Sequence, residues 1–292
     1  MPASDLHSVA VIIPVYNAFQ EATACIESVQ ANTRAPYRLI LIDDGSTDNR
    51  IWPFLQSFAD ASGHVKAYKN TVNRGFTATI NRGCALAGDQ DVVLLNSDTW
   101  VTDGWLQKLS ACTRLHERVA TVTPLSNAAG AFSVPVRNRV NKLPHLMSPY
   151  DVGRLVEELS SGIRPEVPVG NGFCMYVTRN ALKRVGGFDQ AHFPMGYGVE
   201  NDFCLRAGKL GFVHLIDDTT FIYHKRSASF RLRKYAALYL GERQLKRLHP
   251  NYRRLIRDWL AADPLQDFRF TLQRAMAKHA GSAGKGLTRA NQ

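Results

Sequence analysis

Short runs of aliphatic and β-branched residues, each closed by a polar cluster, organise the first hundred positions of the chain. Val9-Ala10-Val11-Ile12-Ile13 is apolar throughout and stops at Pro14-Val15-Tyr16-Asn17. A run this short, with no polar alternation, predicts a buried strand. Arg38-Leu39-Ile40-Leu41-Ile42 repeats the pattern and ends in Asp43-Asp44-Gly45-Ser46-Thr47-Asp48. Asp91-Val92-Val93-Leu94-Leu95 repeats it again and ends in Asn96-Ser97-Asp98-Thr99. Between the first two runs, Ala22, Cys25, Ile26 and Val29 recur at helical spacing, so Glu21 to Asn32 predicts a helix and the unit is strand, helix, strand. Parallel strands joined by helices hold ligands outside their carboxyl ends. Asn17, Asp43 with Asp44, and Asn96 with Asp98 are therefore expected to converge on one crevice.

Beyond residue 100 the pattern changes more often. Gly104 to Leu109 predicts an amphipathic helix with Trp105 in the core. The segment Gly170-Asn171-Gly172-Phe173 predicts a glycine turn that feeds a strand through Val177. Pro194-Met195-Gly196-Tyr197-Gly198, rich in glycine, predicts a mobile loop over an acceptor. Phe203 to Leu210 predicts a helix closed by Gly211, with Asp202 placed to cap it and Arg206 placed one turn later to pair with Asp202. Phe221-Ile222-Tyr223 predicts a short strand delivering His224. Earlier, Asn73-Arg74-Gly75-Phe76-Thr77 predicts a turn into a helix reaching Leu86, with Arg74 able to meet a phosphate or to stand in solvent.

The oxygen-bearing cluster at Asn96-Ser97-Asp98 suits Mg²⁺ or Mn²⁺, ions that keep several waters and need one or two carboxylates when a substrate diphosphate supplies the other oxygens. The same residue types also build turns.

Six segments in order resemble the family 2 inverting glycosyltransferases, whose nucleotide-sugar-binding fold is called GT-A. They are Val11 to Asn17, Ile42 to Asp48, Asn73 to Phe76 with Asn81, Leu95 to Thr99, Gly186-Gly187-Phe188-Asp189, and Gly198 to Arg206. The resemblance, which extends to bacterial rhamnosyltransferases and O-antigen or capsule glycosyltransferases, implies a mixed, mostly parallel sheet flanked by helices. It places a catalytic domain at residues 1–230, its nucleotide-binding half at about 1–124 and acceptor half at about 125–230, followed by a helical extension at 231–292.

Carried over position by position, the resemblance implies that Pro14, Val15, Tyr16 and Asn17 line the nucleotide base. Asp44 would bond the base or ribose, with Asp43 in support. Arg74 and Gly75 would lie near the nucleotide-sugar, and Gly172 beneath the donor sugar. Asn96 and Ser97 stand in an Asp-X-Asp metal motif whose first Asp is replaced, so Asp98 is the certain carboxylate ligand, with His224 completing the metal site or touching the diphosphate. Arg226, with Lys225 and Arg231, would neutralise the leaving diphosphate. Glu200 falls at the position of the general base, with Asp202 as the alternative. Inversion at the anomeric carbon is a single displacement, and the attacking hydroxyl must lose a proton to a nearby carboxylate. Glu200 also suits a helix start as a merely solvated carboxylate.

Charge separates the chain into unlike parts. Residues 225–292 hold 16 Lys and Arg against 4 Asp and Glu, whereas residues 1–224 hold 20 against 21. The whole net charge of +11 therefore sits in the tail. Tyr235, Leu238, Tyr239, Leu240, Leu245, Leu248, Tyr252, Leu255, Ile256, Trp259 and Leu260 recur there at near-helical spacing, broken at Pro250 and Pro264. Such basic, aromatic helices suit an anionic membrane surface where lipid-linked acceptors reside, or else pack their apolar stripe on the body. Gly281 to Gln292 is expected to fray. No apolar stretch approaches membrane-spanning length and Met1 to Ser8 lacks the pattern of a signal peptide, which gives a cytoplasmic expectation with the inner face of the plasma membrane as the docking surface. Five scattered cysteines in apolar patterns predict reduced core thiols.

The partners expected are a UDP-, dTDP- or GDP-sugar donor and a saccharide or lipid-linked acceptor. A nucleic-acid-binding role, suggested by the Arg-rich tail, leaves the carboxylates at the strand ends unexplained, and no nucleic acid is expected. A non-catalytic nucleotide-sugar-binding relative is the other alternative, because Asn96 and Val199 replace acidic residues.

Overall fold

The computed structural model describes residues 9–226 and 231–289. The chain runs β1 (Val9–Val15), α1 (Phe19–Asn32), β2 (Tyr37–Asp43), α2 (Ile51–Asp60), β3 (Val65–Lys69), α3 (Phe76–Leu86), β4 (Val92–Leu95) and β5 (Thr99–Trp100). It continues with α4 (Trp105–Thr113), β6 (Val119–Ser126), α5 (Pro149–Leu159), β7 (Cys174–Val177), α6 (Arg179–Val185), α7 (Val199–Lys209) and β8 (Val213–His224). Three helices close it: α8 (Arg231–Leu248), α9 (Tyr252–Ala262) and α10 (Gln266–Arg289).

One eight-stranded sheet has the order β3-β2-β1-β4-β7-β6-β8-β5. Strands β3, β2, β1 and β4 are mutually parallel, and β7 is antiparallel to both β4 and β6. The expected mixed, mostly parallel sheet is thus observed. Strands β1, β2 and β4 are buried on both faces, which is why their sequences carry no polar alternation, whereas edge strand β3 alternates and exposes Lys66 and Lys69. Val9, Val11, Ile13 and Val15 enter one core with α1 and α4, while Ala10 and Ile12 enter a second with α3, α6 and α7. Trp105 is fully buried and donates its indole N–H to Thr33 Oγ1 at 2.9 Å, as a core residue. All five cysteines are free and buried.

The tail helices pack on the body. Leu245 of α8 joins the core around α7, and Leu272 and Met276 of α10 join the core around α5. Burying an aliphatic side chain contributes about 1.5–3 kcal/mol, whereas an exposed pair such as Arg253–Glu242 contributes about 0–1 kcal/mol. Apolar burial therefore holds the tail in place. Buried Arg269 adds specificity by donating to the backbone oxygens of Ala131 and Ser133.

One expectation is corrected here. Helix α10 continues to Arg289, so Gly281 to Arg289 is helical instead of frayed; residues 290–292 lie outside the described part, as do Met1 to Ser8. The segment Pro194 to Gly198 is held at its two ends, with Met195 between them 55% exposed. Thr77 Oγ1 donates to the Phe193 carbonyl from α3, and Leu245 presses on Gly198 from α8.

Candidate active site

Strand ends bring the polar clusters together as the connectivity requires. Asn17 closes β1 in a left-handed conformation (φ 56°); its Oδ1 accepts the N–H groups of Thr47 and Asp48 at 2.9 and 3.0 Å, tying the end of β1 to the loop after β2. Asp43 is buried and accepts the Ser46 N–H. Asp44 is buried as well. Its Oδ1 accepts Asn70 Nδ2 at 2.7 Å and the Arg74 N–H at 2.9 Å, and its Oδ2 accepts the Gly75 N–H at 3.0 Å. The carboxylate expected on the base or ribose is thus already committed to holding the turn before α3. Tyr16 remains exposed beside it, and so does the side chain of Arg74.

The most informative geometry is at the other end of the sheet. β5 pairs antiparallel with β8, with Thr99 opposite His224, so Asp98 and His224 become neighbours across 126 positions of sequence. His224 Nε2 stands 3.2 Å from Asp98 Oδ1. Its Nδ1 lies 3.1 Å from the Ala128 carbonyl oxygen. Both partners only accept, and a neutral imidazole has one N–H, so with Nδ1–H donating to the carbonyl the Nε2 lone pair faces a carboxylate. A cation shared by Nε2 and Asp98 satisfies that arrangement, and the carbonyl is the outer partner that orients a metal-binding imidazole. Among the described residues no third His, Cys, Asp or Glu joins them. Two protein donors fit Mg²⁺ or Mn²⁺ if substrate phosphates and water complete the shell.

Asn127 holds the His224 backbone, accepting its N–H at 2.7 Å and donating to its carbonyl at 3.1 Å. Glu21 lies close enough to Asp98 to act on it electrostatically and pairs with Lys225 at 2.9 Å, a contact that holds its carboxyl below the usual value. Lys225 is therefore already paired. Neither Asn127 nor Glu21 was singled out from the sequence. Asn127 had a signal, because Val119 to Leu125 is one more largely apolar run ending in a polar cluster; Glu21 had none.

A continuous path leads from this pair to Glu200. Asn96 donates its N–H to the Phe173 carbonyl at 2.9 Å, and the Phe173 ring stacks on His224 with centroids 5.5 Å apart. Next to Phe173, the Cα of Gly172 faces Glu200: a Cβ added there would stand 3.6 Å from Glu200 Cδ. Glu200 occupies the first turn of α7 and is only partly exposed. Burial pushes its carboxyl up to about 7, against hydrogen bonding from the backbone of Glu200, Gly198 and Gly172 that lowers it. Such a group changes protonation near neutrality. Arg226 and Glu200 both act on Tyr197, whose phenol burial pushes up, so the exposed Arg226 belongs to the same neighbourhood. The Arg231 side chain lies outside the described residues.

Asp202 has a different setting. Helix α7 begins after left-handed Gly198 with no side-chain cap, which corrects the expectation that Asp202 caps it. Asp202 is 2% exposed. Its Oδ2 accepts Arg206 Nε at 2.7 Å, the pairing expected one turn along, and its Oδ1 accepts His249 Nε2 at 2.8 Å. Both oxygens are thus engaged, one in an ion pair with Arg206 and one in a hydrogen bond from His249. A groove of about 730 Å³ lies farther along α7, lined by Leu205, Phe212, Tyr252, Leu255 and Trp259 among others, but none of Asp98, His224 and Glu200 borders it.

A family model described as Glycosyl transferase family 2 matches residues 10–185. The chain belongs to glycosyl transferase family 2. Within the family it is 24% identical over 243 residues to an N-acetylglucosaminyl-diphospho-decaprenol L-rhamnosyltransferase of Mycobacterium tuberculosis, covering 75% of this chain and 76% of that protein. It is 33% identical over 92 residues to an uncharacterized glycosyltransferase, YibD, of Escherichia coli, covering 32% of this chain and 26% of YibD. Its fold is that of the GT-A glycosyltransferases. A crystal structure of GalNAc-T7 with UDP, GalNAc and Mn²⁺ superposes at a TM-score of 0.66 with 16% identity, over 92% of this chain and 55% of that one. The mannosyltransferase PcManGT of Pyrobaculum calidifontis, in complex with GDP-Man and Mn²⁺, gives 0.58 with 17% identity, over 97% and 80%.

Proposed function

We propose that this family 2 member is an inverting, divalent-metal-dependent glycosyltransferase that moves a sugar from a nucleoside diphosphate to a saccharide or lipid-linked acceptor, as in bacterial surface polysaccharide assembly. The observation that carries this reading is the Asp98–His224 pair at 3.2 Å, joined through Phe173 and Gly172 to a carboxyl poised near 7. In the proposed step, the acceptor oxygen bonds to the anomeric carbon as the bond from that carbon to the diphosphate oxygen breaks. The hydroxyl proton passes to Glu200, and the electron pair of the broken bond leaves on the nucleoside diphosphate. A divalent ion held by Asp98 and His224 would offset the charge gathering on that leaving group. Arg226 adds positive charge on the same side. The backbone of Pro14 to Asn17 and the turn clamped by Asp44 form the wall for the base and ribose, with Asn96 and Ser97 beside the diphosphate.

Thermal unfolding with UDP, GDP or dTDP, each with and without Mn²⁺, tests this reading. Stabilisation by one nucleotide, dependent on Mn²⁺, is the expected result. No stabilisation by any of the three with metal present would overturn it. Metal-dependent binding with no release of nucleoside diphosphate from any nucleotide-sugar would instead favour the non-catalytic relative that Asn96 makes conceivable.

The tail supports a membrane partner. Tyr239, Leu240 and Phe270 remain 66%, 55% and 61% exposed, while Arg243, Lys246, Arg247, Arg253, Arg254 and Arg257 are also exposed. No helix among the described residues is long and apolar enough to cross a membrane. Basic, aromatic helical surfaces bind anionic headgroups. Flotation with anionic liposomes should succeed at low salt and fail at high salt, because the attraction is screened within about 10 Å at 0.1 M. Equal flotation with neutral liposomes would refute an electrostatic mode.

A further inference from the structure

Helix α7 carries Glu200 in its first turn, and four contacts from the C-terminal segment converge on that turn and the loop before it. At Gly241 the backbone of α8 comes so close to the Tyr197 carbonyl that any Cβ would collide with it, which is why only glycine serves there. Four residues later Leu245, 3% exposed, packs on Gly198, where an added Cβ would stand 2.9 Å from its Cδ1. After α8 ends, buried His249 donates from Nε2 to Asp202 Oδ1 at 2.8 Å, and the Tyr252 hydroxyl at the start of α9 accepts Asn201 Nδ2 at 3.0 Å. The contacts land on residues 197, 198, 201 and 202, on either side of Glu200. Asp202 is also fixed by Arg206 from within α7, and the His249 hydrogen bond ties this turn to a different part of the chain.

We propose that the C-terminal extension is a working part of the active site: His249, acting through Asp202, is a positioning residue that fixes the turn bearing Glu200. The inference rests on the reading of Glu200 as the base. A base must lie within hydrogen-bond reach of the acceptor hydroxyl, so a turn displaced by an ångström loses transfer rate without losing the donor, whose diphosphate is held elsewhere.

The test uses the full-length chain with four substitutions. His249→Ala removes the donor to Asp202, and His249→Asn places its amide too short to reach. His249→Gln restores an N–H at about the reach of Nε2. Leu272→Ala, at a buried position of α10 against α5, controls for weaker docking of the tail as a whole. For His249→Ala and His249→Asn the expected result is a kcat lower by about 10- to 100-fold with donor KM within twofold of wild type. His249→Gln should recover most of the kcat, and Leu272→Ala should keep it despite a lower Tm.

If His249→Ala fails to fold, the comparison of Asn with Gln decides alone. Wild-type kcat in both His249→Ala and His249→Asn, or a kcat that follows Tm equally in all four variants, overturns the proposal. Failure of the underlying reading shows separately, as wild-type turnover in Glu200→Gln.

Discussion

Glu200→Gln should lower turnover by about 10²- to 10⁴-fold while leaving donor affinity nearly intact. The range is the usual contribution of a positioned general base, and Gln keeps the side chain's shape while removing its basicity. Donor affinity survives because Asp98, His224 and Arg226, not Glu200, face the diphosphate in the proposed mode. The pH dependence follows from the same group. Burial raises its pKa from 4.5 to about 7, so the active carboxylate form accumulates as pH rises through about 7, and turnover should climb over that interval and lose the climb in the variant.

Stability changes in the opposite sense. A carboxyl with a raised folded-state value keeps its proton in the native protein after the unfolded chain has released it, so stability falls as pH rises from about 4.5 to 7. Gln has no charge to desolvate. Glu200→Gln should therefore raise Tm more at pH 8 than at pH 5, an unusual pairing of lost activity with gained stability. If Glu200→Gln turns over like wild type while Asp202→Asn is folded and inactive, the base has been misassigned.

Asp98→Ala should abolish metal-dependent nucleotide binding. At a ligand concentration 100 times its Kd, binding to the native state adds about 2.7 kcal/mol. For a chain of this size that is a Tm rise on the order of 5–10 °C, all of whose metal-dependent part should vanish in Asp98→Ala. His224→Ala should weaken the same response, and Asn96→Asp should keep or strengthen it, since a second carboxylate is a better ligand for a hard cation than an amide oxygen. Full activity of Asp98→Ala in the presence of a chelator would remove the metal from the mechanism.

Strand-forming runs were legible because period and composition are local properties. Val9 to Ile13, Arg38 to Ile42 and Val92 to Leu95 are all strands in the observed fold, and their polar ends face the same edge of the sheet because parallel connection leaves no other arrangement. Helices α8 and α9 and the break between them followed from apolar spacing and Pro250 in the same way.

The sequence by itself thus determined the strands, their order of chemistry-bearing ends and the concentration of positive charge in the tail, since each is written in neighbouring residues. Only the tertiary structure decided which groups meet. It set His224 beside Asp98 by pairing β5 with β8, and it spent Asp44 on the turn before α3. It brought His249, 47 residues away, into hydrogen-bonding reach of Asp202, whose pairing with Arg206 is local to α7. Contacts of that separation depend on how whole layers pack, and a buried carboxylate takes whichever donors the packing brings within reach, because leaving it unpaired costs more than any local preference is worth.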